Sequence, residues 1–206
     1  MIVYAESNFT LELALLRSQS DSCEALAKLA ELGDIQLVIP AFCGSEPYES
    51  MARRLKDRQI VHRQLEKELT ELSRSSPYSN IRNTAQGITS MLSQSADDEK
   101  SRLYDTLLRL TKVTRMIPLT SDVLRVSLTY QTQFTLSPQD AIVLASIVED
   151  LKLIEPGLER LFVTQNKDDF IDPHIRKLML AHGCKLLFRF DNAAGYVESI
   201  IKARGQ

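Results

Sequence analysis

The sequence has no tryptophan and only seven glycines in 206 residues. With aromatic residues at 6%, no platform for stacking successive bases is indicated. The scarcity of glycine fits the absence of any GxxxxGK(S/T) or GxGxxG run, so a nucleotide-binding reading lacks its phosphate loop. The three cysteines (Cys23, Cys43 and Cys184) are far apart and form no CxxC. That argues against a zinc module and a disulfide framework, and fits a reducing cytosol. No apolar run approaches the ~20 residues needed to span a bilayer. The opening Met1-Ile2-Val3-Tyr4-Ala5-Glu6 has neither the basic region nor the apolar core of a signal peptide. A cytoplasmic protein with no membrane contact is expected. The formal net charge is -2, so no global field attracts nucleic acid and any such site must be a local patch.

Five short β-type runs are present, at 2–5, 35–39, 116–119, 161–164 and 185–190, and helical patterns separate them. This alternation predicts an α/β fold with a parallel sheet of about five strands and helices on both faces. Between the first two strands, Leu26, Leu29 and Ala30 mark a helix over 22–32, stopped by Gly33. After the second strand, Pro40 and Gly44 make a turn and Pro47 suits the first position of a new helix.

Residues 50–113 are long for a crossover. Val61, Leu65, Leu69 and Leu72 form one narrow helical stripe. SRSSPYSN at 73–80 is a polar break. Two further helices are expected at 81–92 and 101–113, with SQSADDEK at 93–100 as a mobile loop between them. The apolar stripes are too narrow to close a core alone. One domain over 1–206 with a helical insertion at about 55–113 is therefore expected. Helices follow at 121–134, from Pro138 through Leu151, and from Pro173 to Gly183. A polar loop at 165–169 follows the fourth strand, and a last helix covers 192–203.

Acidic residues recur at comparable points of this pattern. Glu6 follows the first strand, Glu46 the second after a short turn, and Asp168 and Asp169 the fourth. Asp140 opens a helix. The first and fourth strands of a doubly wound sheet are neighbours near its switch point, so Glu6 and the 166–169 loop should be close. Carboxylates sharing a cleft repel one another unless a cation is bound. Mg²⁺ and Mn²⁺ take such oxygen ligands, together with waters and substrate phosphate. Sites of this kind hydrolyse phosphodiesters by activating water and stabilising the developing negative charge.

Each acid also has a plainer explanation. Asp140 lies three residues after Ser137, the spacing of a capping box, with Pro138 at the first helical position. Glu46 sits at a helix start, where the dipole favours negative charge. Asp172 before Pro173 is a helix cap and is left out of the site. Glu6 is harder to explain structurally, because a carboxylate directly after a buried strand is costly unless paired or metal-bound. His62, His174 and His182 lack metal-pair spacing and are assigned surface or packing roles.

At these residues the chain resembles the PIN-domain nucleases. The matching pieces are Ile2-Val3-Tyr4-Ala5-Glu6-Ser7-Asn8-Phe9, Ile39-Pro40-Ala41 leading to Glu46, Ser137-Pro138-Gln139-Asp140-Ala141 with Ala145-Ser146, and Phe162-Val163-Thr164-Gln165-Asn166-Lys167-Asp168-Asp169-Phe170. All four motifs occur in order, over about residues 1–55 and 115–190. The resemblance implies a PIN-like three-layer α/β/α fold, a Mg²⁺ or Mn²⁺ site and endonuclease activity on RNA. Glu6 stands where the family usually has its first aspartate, a metal ligand, and is one methylene longer. Ser7 and Asn8 match the hydroxyl and amide that follow it. Glu46 matches the second acid and Asp140 the third, also a metal ligand. Asn166 stands where many members carry a fourth acid, with Thr164 as the hydroxyl beside it. Asp168 or Asp169 could substitute for that missing charge. The insertion between strands two and three makes the chain longer than the compact PIN toxins. An antitoxin or other protein inhibitor and a second copy of the chain therefore stand as optional partners beside an RNA substrate.

Arg53 and Arg54 follow Glu46 by about two helical turns. Residues 53–63 hold five basic residues against one acid, a local net of +4. This stretch is the candidate phosphate-binding rim, or else a solvated helix face paired with Glu66, Glu68 and Glu71. Two functions remain open. One is a metal-dependent endoribonuclease using Glu6, Glu46, Asp140, Asp168 and Asp169, oriented by Asn8, Thr164 and Asn166. The other is a catalytically weak PIN-like scaffold that binds protein or RNA. A phosphatase-like hydrolase would need an aspartate nucleophile where Glu6 stands.

Overall fold

A computed structural model describes residues 1–155 and 157–204. Five parallel strands form one sheet: β1 (Ile2–Tyr4), β2 (Gln36–Pro40), β3 (Thr114–Ile117), β4 (Arg160–Val163) and β5 (Cys184–Leu187). Their order is β3-β2-β1-β4-β5. Val3 is in register with Leu37 on one side and Leu161 on the other. The chain moves one way from β1 to β3, then returns to place β4 against the other side of β1. The carboxyl ends of β1 and β4 thus flank the switch point, where open α/β sheets gather ligands. Val3, Leu37 and Leu161 are fully buried, as a strand covered on both faces requires.

Nine α-helices surround the sheet among the described residues: α1 (Ser7–Leu15), α2 (Ser20–Glu31), α3 (Glu46–Leu72), α4 (Ile81–Val113), α5 (Ser121–Phe134), α6 (Pro138–Leu153), α7 (Lys167–Phe170), α8 (Pro173–Ala181) and α9 (Phe190–Arg204). α2 contacts α1, α4, α9 and β2. α5 packs on α6, α6 reaches β2 and β3, and α8 lies against β5. Right-handed crossovers put these two groups on opposite faces, which gives the expected three-layer α/β/α arrangement. Among the described residues no helix is long and apolar enough to cross a membrane.

Three expectations need correction. Two helices, not one, connect β1 to β2. α1 carries no periodic signal because nearly all of it is buried, including Ser7, Thr10 and Glu12. Next, 93–100 is not a loop, since α4 runs unbroken through it. Its polar residues are used for packing: Glu99 pairs with Arg58 at 2.6 Å and Arg54 at 3.5 Å, both on α3. Finally, 167–170 is not loop but a helical turn, closed by the Ile171 amide donating to Lys167 O at 2.9 Å. At 27 and 33 residues, α3 and α4 are about 40 and 50 Å long. Met51 and Leu103 anchor this pair on Ala14 of α1, with Leu55 and Leu107 beside them.

One polar network crosses the core. Asp150 on α6 accepts from Tyr4 Oη at 2.7 Å and from both terminal nitrogens of Arg115 on β3, each at 2.7 Å. Burial works to raise the pKa of Asp150, but the Arg115 fork and the Tyr4 hydroxyl outweigh it and hold the carboxyl below its usual range. Removing one partner of a buried pair leaves a charge uncompensated. Arg115→Met should therefore lower the free energy of unfolding by about 3 kcal/mol, read from urea denaturation at neutral pH. An unchanged midpoint would contradict this role.

Candidate metal centre

β1 delivers Glu6 to the switch point, and the chain turns at once into α1. Glu6 is the N-cap of that helix, accepting from the Asn8 amide at 2.9 Å through Oε2. Its other oxygen accepts from Thr164 Oγ1 at 3.1 Å, just beyond the end of β4. Glu6 is only 7% exposed and Thr164 is wholly buried. The Thr164 hydroxyl also accepts from the Asn166 amide at 2.9 Å. The Asn166 side chain donates to Asp140 Oδ1 at 2.8 Å. A continuous hydrogen-bonded path therefore joins Glu6 to Asp140 across the carboxyl ends of β1 and β4.

Asp140 lies in the first turn of α6, where the plainer capping role also holds. Ser137 is the N-cap and accepts from the Asp140 amide at 3.2 Å. The same hydroxyl donates to Asp140 Oδ2. That second bond ties down the carboxylate itself, which spacing alone did not reveal. Glu46, the first residue of α3, accepts from the Ser7 hydroxyl. Ser7, adjacent to Glu6 in the chain, thereby links the end of β1 to the element after β2.

Burial is the main cause that lifts Glu6 from its ordinary 4.5 to about 7, and the nearby Glu46 adds to it. The bonds from Asn8 and Thr164 work the other way. Burial likewise raises Asp140, with Asp169 contributing, against the bonds from Ser137 and Asn166. Burial pushes the Cys43 thiol up too, assisted by Glu6 and Glu46. Cys43 therefore borders the network as a neutral thiol, a neighbour that its sequence position gave no means of finding.

Glu6, Ser7, Asn8, Glu46, Asp140, Thr164 and Asn166 come together in this network. Asp169 lies near Asp140, whereas Asp168 is exposed and has no partner in the network among the described residues. Arg53 is exposed. Arg54 and Arg58 pair with Glu99 of α4 rather than with the later glutamates of their own helix. This neutralises part of the expected basic rim.

The donors suit a hard divalent cation: they are carboxylate and hydroxyl oxygens, and the adjacent Cys43 is held as a thiol. Among the described residues no three His, Cys, Asp or Glu side chains form a ready metal-holding group. A cation held by one or two carboxylates, with waters and substrate phosphate completing its shell, fits this arrangement. Glu6 is buried and Asp140 half-buried, and burial is the main cause that raises the pKa of each.

The raised pKa of Glu6 has a direct consequence. Between pH 4.5 and about 7 the folded chain keeps a proton that the unfolded chain has released, so stability falls as pH rises through that window. Without added cation, Glu6→Gln should gain about 3 kcal/mol relative to wild type from the bottom of the window to the top. Urea unfolding in a chelator at a series of pH values measures this. A constant difference across the window would show that Glu6 is not the buried titrating group.

A PIN-domain family model matches residues 3–170. That span runs from β1 to the end of α7 and includes Glu6, Glu46, Asp140 and Asp169. No curated protein and no solved structure matches the chain significantly. The order of the strands, the acids at their carboxyl ends and the extent of this match lead to one identification: the chain belongs to the PIN-domain family, whose members are generally nucleases.

Proposed function

We propose that the protein is a metal-dependent endoribonuclease that hydrolyses RNA phosphodiester bonds at the carboxyl edge of β1 and β4. The observation that carries this reading is the hydrogen-bonded path from Glu6 through Thr164 and Asn166 to Asp140. It fixes one buried and one half-buried carboxylate without placing a cationic side chain between them. Mg²⁺ or Mn²⁺, when bound, supplies positive charge that neutralises the phosphate and makes a nearby water more acidic.

The chain's own groups do the rest. Glu6 and Asp140 hold the cation. Asn8 and Thr164 restrain the Glu6 carboxylate, and Asn166 and Ser137 restrain Asp140. Glu46, half-buried at the start of α3, is offered as the acceptor of a proton from the attacking water, steadied by the Ser7 hydroxyl. Asp169, and Asp168 at the rim, add negative charge that draws the cation in. Arg53 is offered as a contact to RNA beyond the cleft; Arg54, already paired with Glu99 at 3.5 Å, is offered only in a supporting role. Three buried free thiols support action in the reducing cytoplasm.

A second reading is favoured by one observation. With neutral Asn166 bonded to Asp140 and no three-ligand group among the described residues, the chain could serve as a weakly catalytic scaffold. The long α3–α4 pair would then meet a protein partner or a second copy.

Mn²⁺ titration and RNA cleavage separate the two. Wild type should bind Mn²⁺ and degrade a mixed RNA pool, and Asp140→Asn should lose both. Asn166→Ala, which removes an orienting bond, should lose about 10–100-fold in activity or metal affinity. Cleavage that is equal in wild type and Glu6→Gln would trace to a contaminant, and absence of Mn²⁺ binding in wild type would sink the nuclease reading.

A further inference from the structure

The loop that carries Thr164 and Asn166 into the acidic network alternates with residues that face elsewhere. Gln165 and Lys167 line a cavity of about 870 Å³ between α8 and the β5–α9 segment. Four cations border it: Lys167, Arg176, Lys185 and Arg189. They come from α7, α8, β5 and the turn into α9, and sequence spacing does not announce them. No carboxylate side chain lines the cavity among the described residues, while three amides and Phe188 do.

The cations differ in how free they are. Among the described residues Lys167 and Arg176 have no ion pair. Lys185 lies 3.8 Å over the Tyr196 ring, and Arg189 pairs with the exposed Asp191 at 2.5 Å. In a chain of net charge -2, the three cations not paired with a carboxylate, Lys167, Arg176 and Lys185, set up a local field of the opposite sign around the cavity. Such a field suits a phosphate backbone. β5 is the edge strand of the sheet, so the cavity runs along backbone that has no neighbouring strand. Lysine on an edge strand also discourages strand pairing, but that role requires neither the three other cations nor the amides. A half-buried aromatic ring beside cations and amides favours unpaired nucleotides over a duplex.

We propose that this cavity is the channel that holds single-stranded RNA on one side of the bond to be cut. The backbone lies against Lys167, Arg176 and Lys185, and a base rests against Phe188. The segment 164–167 connects the two functions, since alternate residues orient the acids and grip the strand. This inference rests on the ribonuclease reading for its direction but not for its test.

Binding is measured without cleavage, by fluorescence anisotropy in a chelator, using a labelled single-stranded RNA of about 20 nucleotides. That length exceeds the roughly 4–16 that one single-strand site covers. The triple variant Lys167→Gln, Arg176→Gln and Lys185→Gln should bind about tenfold or more weakly. Its salt dependence should fall by about 2 in logarithmic slope, close to 0.7 for each lost phosphate contact. A control with Arg74→Gln, Lys112→Gln and Arg125→Gln makes the same change in charge away from the cavity and should bind like wild type. Phe188→Leu should weaken binding with no change in slope. Equal losses in the triple variant and the control overturn the proposal, as does a wild type that binds a poly-glutamate peptide but not RNA. If RNA binds through these residues and no cation-dependent cleavage follows, the nuclease reading fails and the channel stands.

Discussion

The buried carboxylate of Glu6 is the constraint around which the rest of the site is built. It comes just after a strand that is covered on both faces, so it is almost wholly withdrawn from bulk water. Transferring a carboxylate to such surroundings is costly unless partners are supplied. The fold supplies the Asn8 amide in the first turn of α1 and the hydroxyl of Thr164, and these do not fully compensate, because burial still pushes the carboxyl up to about 7. The remaining deficit is of the kind that a cation removes.

Placement of Glu6 follows from sheet order. β1 is central, with β2 on one side and β4 on the other. Tyr4, two residues earlier, is tied through Asp150 to Arg115 on β3. The strand that carries Glu6 is therefore pinned both by its ladders and by a side-chain network across α6. Loops after β2 and β4 then bring Glu46 and the Thr164–Asn166 turn to its tip. The α3–α4 pair is fastened to α1 through Met51 and Leu103, and α1 starts at the residue after Glu6. The insertion is thus anchored on the helix that caps the site.

Much of this was legible in the sequence because it depends on local signals. β1 to β5 show as short β-type runs, Gly33 ends α2 with a positive φ of 80°, and Ser137-Pro138 marks the start of α6. Other features depend on tertiary partners. The apolar run in α1 has no period because both of its faces are buried. SQSADDEK reads as solvent-exposed loop until Glu99 is seen to pair with Arg54 and Arg58 across two helices. The same pairing engages two arginines of the basic stretch that drew attention to α3 and offsets one of its charges. The cations around the β5 cavity come from four separate elements, so no run of charge advertises them. The bond between Ser137 and the Asp140 carboxylate depends on side-chain orientation, which a capping motif does not specify.

The central claim is that Glu6 and Asp140 share one divalent cation. The most direct test is anomalous diffraction from crystals soaked in Mn²⁺. The account predicts a single peak at the carboxyl edge of β1 and β4, with an oxygen of Glu6 and one of Asp140 each about 2.1 Å away. A peak elsewhere, or none at this edge in crystals that diffract well enough to reveal one, would contradict it.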